Sequence, residues 1–274
     1  MRGLRAVSFD FGNTLCPVTD EALRVVLLDA AERIAARSGP FAVEAFVTAW
    51  REEARRQFAV NVPLQRENDL EERIVRVLAR LRGEPVPPLP ASAGGDGDGG
   101  AWDDAGAARL STTAERAAAL HDYGDAFVGG MPVDPRAAGM LGRLHRRYRL
   151  AIVSNWPLAR AIDEVAERAG WAPHLDAIVV SQRVGYVKPH PAIFGAAAEA
   201  LEVRLTELLH VGDDWAADVV GACRAGARAA YLAVRPPGSP LPGSVPDGSV
   251  EPDLVISDLG ELEAALADAA SVTD

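Results

Sequence analysis

Ala6-Val7-Ser8-Phe9-Asp10-Phe11-Gly12-Asn13-Thr14-Leu15 opens the chain with a short apolar run that ends on a carboxylate. A run of this length, closed by Gly12 and Asn13, predicts a strand from about Arg5 to Asp10 followed by a turn. No second strand follows it directly. Leu23, Val26, Leu27, Ala30 and Ile34 recur at helical spacing, as do Phe46, Val47, Trp50 and Ala54, and then Ile74, Val77, Leu78 and Leu81. Ser38-Gly39-Pro40 separates the first two of these helices. From Pro135 the texture changes. Strands at Arg149–Ser154, Ala177–Ser181, Leu208–Asp213, Ala229–Leu232 and Leu254–Ile256 alternate with helices at Pro135–Arg146, Leu158–Ala169, Pro191–Leu201, Asp214–Ala225 and Leu259–Ala269. Such alternation means parallel strands joined by helical crossovers.

The expected fold class is therefore α/β: a Rossmann-like three-layer core on a parallel sheet, with an inserted α-helical domain. Residues 1–16 and 130–274 form the core, and 17–129 form the helical insert, a lid over the strand ends. Within the insert, about 83–106 carries Pro85, Pro87, Pro88, Pro90 and then Gly94-Gly95-Asp96-Gly97-Asp98-Gly99-Gly100. That stretch has too little apolar surface to order itself and is expected to be a flexible surface insertion. Helical pattern resumes near Ser111, where Ser111 or Thr112 caps the first turn ahead of Glu115. Arg235 to Pro252 reads as a proline- and glycine-rich loop.

With 274 residues the chain can bury a substantial core. Its net charge of -11 argues against nucleic acid as a partner, because phosphate-backbone binding needs a basic surface. A small phosphorylated substrate remains compatible, since a metal and one lysine reverse the sign locally. No apolar run approaches the ~20 residues of a membrane span, and the N-terminus lacks the apolar core of a signal peptide. Cys16 and Cys223 are too few for a disulfide framework, which points to a reducing, cytoplasmic location. Cys223, among alanines, is expected to be buried and inert. Oligomeric state is left open.

Asp10, Ser154, Lys188 and Asp213-Asp214 each stand at or just beyond the end of an apolar segment. In a parallel sheet such ends converge on one crevice. A carboxylate at position 10 can attack phosphorus and form an acyl phosphate, splitting hydrolysis into two steps. Thr14 would donate to a phosphate oxygen or orient Asp10, and Ser154 would hydrogen-bond a transferring oxygen. Lys188 supplies a compact positive charge to hold nucleophile and phosphoryl oxygens together. Asp10 and Asp213 in one crevice would repel unless a cation intervenes. A hard, oxygen-ligated ion such as Mg2+ fits, with Asp213 in its inner sphere. Asp214 or Asp218 would hold the metal's waters or steady Lys188, and each equally suits capping the next helix.

With these residues in this order, the chain resembles the haloacid dehalogenase superfamily of hydrolases over nearly its full length. The motifs are Asp10 with Thr14 four residues on; Ser154-Asn155; Lys188-Pro189 within Gly185–Phe194; and Val211-Gly212-Asp213-Asp214-Trp215-Ala216-Ala217-Asp218 through Ala222. The resemblance implies a Mg2+-dependent hydrolase of a small organic phosphate, working through an aspartyl-phosphate. It implies catalytic roles for Asp10, Thr14, Ser154, Asn155 and Lys188. It places the metal on Asp10, the Gly12 carbonyl, Asp213 and Asp218, with Asp218 favoured over Asp214. The insert then corresponds to the family's helical cap, with Trp50, Arg55 and Arg56 as contacts to substrate.

One position departs from the pattern. Phosphatases of the family carry a second aspartate where this chain has Gly12; it protonates the leaving group and later activates water, a role worth about 10²–10⁴-fold. The substrate then has a good leaving group such as an acyl phosphate or a phenol-like alcohol, or Asp20, Glu21 or a substrate group takes over. Alternatively, the protein has become a catalytically weakened phosphate-binding module. Asn13, where glycine is usual, tolerates the same left-handed turn. A further rival is a metal-independent dehalogenase acting on a carbon–halogen bond, whose branch Ser154-Asn155 resembles and which also lacks the second aspartate. Against it stand the retained Asp213-Asp214 pair and Gly12 where that branch usually has tyrosine.

Overall fold

The computed structural model describes residues 3–86 and 110–271, with side chains as far as 267. The expected flexible insertion therefore lies, from residue 87 on, outside the described residues. The chain divides into two compact units, Met1–Ala22 with Met131–Asp274, and Leu23–Gly130.

Among the described residues the first unit holds six parallel strands: β1 (Ala6–Phe9), β2 (Arg149–Ser154), β3 (Ala177–Val180), β4 (Leu208–Gly212), β5 (Arg228–Leu232) and β6 (Leu254–Ile256). Their order is β3-β2-β1-β4-β5-β6. Every residue of β1 and β4 is buried, as are Leu150 to Ser154 of β2, which is why these segments read as unbroken apolar runs. The order turns back at β1, so the crevice beyond the carboxyl ends of β1 and its neighbours is where such a sheet places a ligand. Phe9 pairs with Ile152 on one side and Val211 on the other. Asp10 is thus level with Val153 and Gly212, one residue short of Ser154 and of Asp213. Strands lie about 4.8 Å apart and rise about 3.3 Å per residue, so these loops leave the sheet within a few ångströms of one another.

The segment after β4 is not the single regular helix expected from Asp214 to Ala225. A π-helical stretch, Trp215–Val220, runs into an α-helix at Gly221–Ala225, which Gly226 ends at φ 88°. Val219 N reaches back to Asp214 O at 3.4 Å, widening the turn. Such bulges re-aim side chains at functional sites. Here the turn folds Asp218 back over Gly212, where a Cβ would stand 2.2 Å from the Asp218 carboxyl carbon. Only glycine fits at 212.

The second unit is helical, with helices at Val43–Asn61, Leu70–Leu81 and Thr113–Gly130 following one at Asp20–Ser38. Asp69 caps the Leu70 helix by accepting from Glu71 N and Glu72 N, and Thr112, not Ser111, accepts from Glu115 N at 3.1 Å. Trp50 stacks between Phe46 (5.6 Å) and Tyr123 (4.5 Å) with Arg73 over its ring. It belongs to this unit's core, which corrects its expected role as a contact to substrate; Arg55 and Arg56 are exposed. Glu53 is fully buried and pairs with Arg76 at 2.6 Å and Arg80 at 2.5 Å. Removing both arginines would strand a buried charge. Asp20 and Glu21 are exposed in the first turn of their helix, where negative charge suits the helix N-terminus. Among the described residues, no helix is long and apolar enough to cross a membrane.

Cys223 is not buried as expected. Cys16 is the fully buried one: its Sγ donates to Pro132 O, and burial pushes its thiol up to about 12 against the pull of Arg168. Cys223 is partly exposed. In the native protein at pH 8, iodoacetamide should modify Cys223 and leave Cys16 intact until denaturant is added, as read by peptide mass mapping. Native labelling of Cys16 at a comparable rate would mean that the turn after β1 opens readily.

Candidate active site

Asp10 leaves β1 with its N–H donating to Val211 O of β4, which fixes the start of the loop against the neighbouring strand. Lys188 enters from the segment after Ser181–Val184 and is almost wholly buried. Its ammonium donates to Asp10 Oδ1 and Asp218 Oδ1, both at 2.7 Å. Burial alone would depress the lysine, but the two carboxylates override it and hold Lys188 above its ordinary value. The lysine is held from behind by Asn155, which accepts from Lys188 N at 2.7 Å and donates to Lys188 O at 3.0 Å. Asn155 therefore acts on the backbone of the lysine. Ser154 is buried at the end of β2.

Asp218 is held by three donors. Besides Lys188, His210 Nε2 lies 3.1 Å from its Oδ1, and Asp214 N donates to its Oδ2 at 2.9 Å. Burial pushes Asp218 up, yet Lys188 and His210 outweigh it and keep the carboxyl ionised, well below the usual range. Burial also lowers His210, which favours the neutral ring. With Nε2 carrying the proton toward Asp218, Nδ1 accepts from Ser8 Oγ at 2.9 Å. Ser8 and His210 face each other directly across the β1–β4 ladder. Neither was evident as a functional residue, because each is a single polar letter inside an apolar strand.

Asp213 is buried and faced by Arg235 Nε at 3.0 Å, Thr14 Oγ1 at 3.5 Å and Asn13 Nδ2 at 3.5 Å. Thr14 is aimed at this acid and not at Asp10. Asn13 adopts the left-handed turn with φ 63°, and its carbonyl oxygen accepts from Val18 N. Asp214 caps the next helix through Ala217 N at 2.7 Å and accepts from both Ser244 N and Ser244 Oγ. Its oxygens are engaged in that clasp, so the structure shows Asp214 as a helix cap.

The loop beginning at Arg235 returns onto the first and fourth motifs. Ser239 exchanges hydrogen bonds with the Asn13 amide, and Leu241 closes over Gly12, where a Cβ would sit 2.7 Å from its Cδ1. Arg235, Ser239, Leu241 and Ser244 were hidden by the loop's composition, which signals turns and carries no address.

Four carboxylates (Asp10, Asp213, Asp214, Asp218) thus meet two cations (Lys188, Arg235). Burial raises Asp10 to about 7 despite Lys188, and raises Asp213 to about 8, with Asp10 and Asp218 adding and Arg235 opposing. The pocket is short of positive charge. One oxygen from each of Asp10, Asp213 and Asp218 lies within 4.8 Å of the others, an all-oxygen set that suits a hard divalent ion. Asp218 has three donors at 3.1 Å or less, whereas two of the three at Asp213 stand at 3.5 Å and Lys188 meets Asp10 at Oδ1, so Asp10 and Asp213 are the freer carboxylates.

A family model described as haloacid dehalogenase-like hydrolase matches residues 4–226. The chain is 35% identical over 136 residues to a phosphoserine phosphatase from Thermus thermophilus, covering 48% of this chain and 50% of that protein. It spans about half the length of the curated relatives it matches. A 2-haloacid dehalogenase from Pseudomonas syringae superposes over 97% of this chain and 99% of its own with TM-score 0.59 at 23% identity. A magnesium-bound HAD-hydrolase from Bacillus subtilis, YfnB, does so over 97% and 99% with TM-score 0.61 at 17% identity. At these identities the two structures speak to the fold.

Proposed function

The chain belongs to the haloacid dehalogenase-like hydrolases, and from that premise we propose that it is a Mg2+-dependent hydrolase of a small organic phosphate whose leaving group departs without a proton. The observation that carries this reading is Asp10 at a strand end, held by a buried lysine, with a second under-neutralised carboxylate at 213. Lys188 holds Asp10 Oδ1 and withdraws repulsion from an incoming anion. The Asp10 carboxylate attacks phosphorus, the bond to the leaving oxygen breaks, and an acyl phosphate forms on Asp10. Water then attacks that phosphorus, loses its proton to solvent, and inorganic phosphate leaves with the carboxylate restored. Mg2+ held by Asp10, Asp213 and the Gly12 carbonyl would supply neutralisation of phosphoryl charge. Asp218 steadies Lys188, and Ser154 would donate to a transferring oxygen.

Gly12, with Leu241 packed beside it, offers no acid at that position to protonate a departing alkoxide, which favours acyl and aryl phosphates over simple alkyl esters. The relative from Thermus thermophilus, a phosphoserine phosphatase, supports the phosphate class, and the clustered oxygens of Asp10, Asp213 and Asp218 support the ion. In this reading the helical unit Leu23–Gly130 is the cap, and the location is cytoplasmic. A panel of phosphorylated metabolites with acyl and aryl phosphates, run with Mg2+ and with chelator, tests it. Phosphate release should need Mg2+ and vanish in Asp10→Asn.

Arg235 on Asp213 favours one alternative, since it gives that acid a cation without a metal. Asp10 would then attack carbon and expel halide. Halide release from 2-haloacids in the presence of chelator would replace the phosphatase reading. Binding of Mg2+ with beryllium fluoride and no turnover on either panel would leave a phosphate-binding module.

A further inference from the structure

Arg235 does not behave as a surface arginine that meets an acid by chance. Its guanidinium is seated on three sides. Nε lies 3.0 Å from Asp213 Oδ2, and Nη1 lies 3.7 Å from Asp214 Oδ2. Nη2 donates to Leu241 O at 3.2 Å and Pro242 O at 3.1 Å, so the loop's own carbonyls hold the fork from the far side. Gly243 passes directly beneath it: a Cβ there would stand 1.7 Å from Nη1. The seat thus includes a glycine whose missing methyl makes room for the guanidinium, with both acids of Asp213-Asp214 on one wall.

We propose that Arg235 is the resident counter-ion of Asp213 and competes with the divalent cation for it, so that this one loop residue sets how tightly the site holds metal. The proposal rests on the Mg2+ reading above. A guanidinium bonded to Asp213 and a divalent ion bound to the same buried carboxylate are like charges a few ångströms apart in a poorly screened pocket. A carboxylate that serves both carries two cations against one negative charge, so each weakens the other's hold on Asp213. Metal binding therefore loosens Arg235 on Asp213, and removing Arg235 strengthens the metal's hold.

The test is calorimetric titration of Mg2+ into the metal-stripped full chain, without substrate. Arg235→Gln removes the competing charge-assisted bond and should bind Mg2+ about tenfold more tightly than the unaltered protein. Gly243→Ala keeps the arginine's charge but fills its seat, and should tighten binding in the same direction. Thermal melting of both metal-free variants confirms that they are folded; Arg235→Lys, which keeps charge without the fork, serves if Arg235→Gln is not, and should fall between the two. Equal or weaker binding in the folded variants overturns the competition while leaving Mg2+ binding by the unaltered protein, and the phosphatase reading, in place. Tightening in Arg235→Gln with none in Gly243→Ala reduces the effect to distant charge and also overturns it. No Mg2+ binding in any of the proteins overturns both readings together.

Discussion

Lys188→Met is expected to lower phosphate release by at least about 10²–10³-fold, the scale of losing one preorganised charge at a reacting oxyanion. The same change should cost about 3–5 kcal/mol of stability, because it leaves Asp218 buried and charged with only His210 and the Asp214 peptide as donors. Asp10 has a little exposure and can take a proton; Asp218 has almost none. Adding Asp218→Asn to Lys188→Met should therefore restore much of the denaturant midpoint and none of the turnover. That separation distinguishes a lysine that works on substrate from one that only balances charge. A Lys188→Met protein with full turnover on the best phosphate of the panel would remove the lysine from the chemistry.

The second large effect is a gain. Gly12→Asp should introduce the missing proton donor and raise turnover of alkyl phosphates, with about 10²–10⁴-fold as the scale of general acid–base catalysis. The structure sets a condition on it. A Cβ at residue 12 meets Leu241 Cδ1 at 2.7 Å, so the new carboxyl would have to displace a leucine that covers it. Gly12→Asp alone should give little, and Gly12→Asp with Leu241→Ala should give most of the gain. Aryl and acyl phosphates, which need no acid, should change far less in either variant. A gain in the double variant that is equal for alkyl and aryl esters would show that the added aspartate is acting on the metal or the fold and not on the leaving group.

Much of this site is legible along the chain because chemistry-bearing residues in a parallel α/β protein fall at strand ends, and strand ends are marked by where apolar runs stop. Asp10, Ser154 and Asp213 stand where that rule puts them, whereas Lys188 follows the short helix Ser181–Val184 beyond the end of β3. Less legible is what each does once there. Asn155 reads as a neighbour of Ser154, yet it grips the Lys188 peptide, a contact across 33 positions of sequence. Asp214 and Asp218 read alike, and the π-helical turn separates them, one into a cap and the other onto the lysine.

The run of strands and helices, the helical insert after the first strand, and the four loops that carry the acids and the lysine all follow from sequence by itself, because periodicity and punctuation are local properties of the chain. Which polar residues complete the site was decided only in three dimensions. Ser8 becomes the partner of His210 because β1 lies beside β4 in that register. Arg235 and Leu241 matter because a loop without pattern returns to Asp213 and Gly12, and a return path depends on packing that no short stretch of residues encodes.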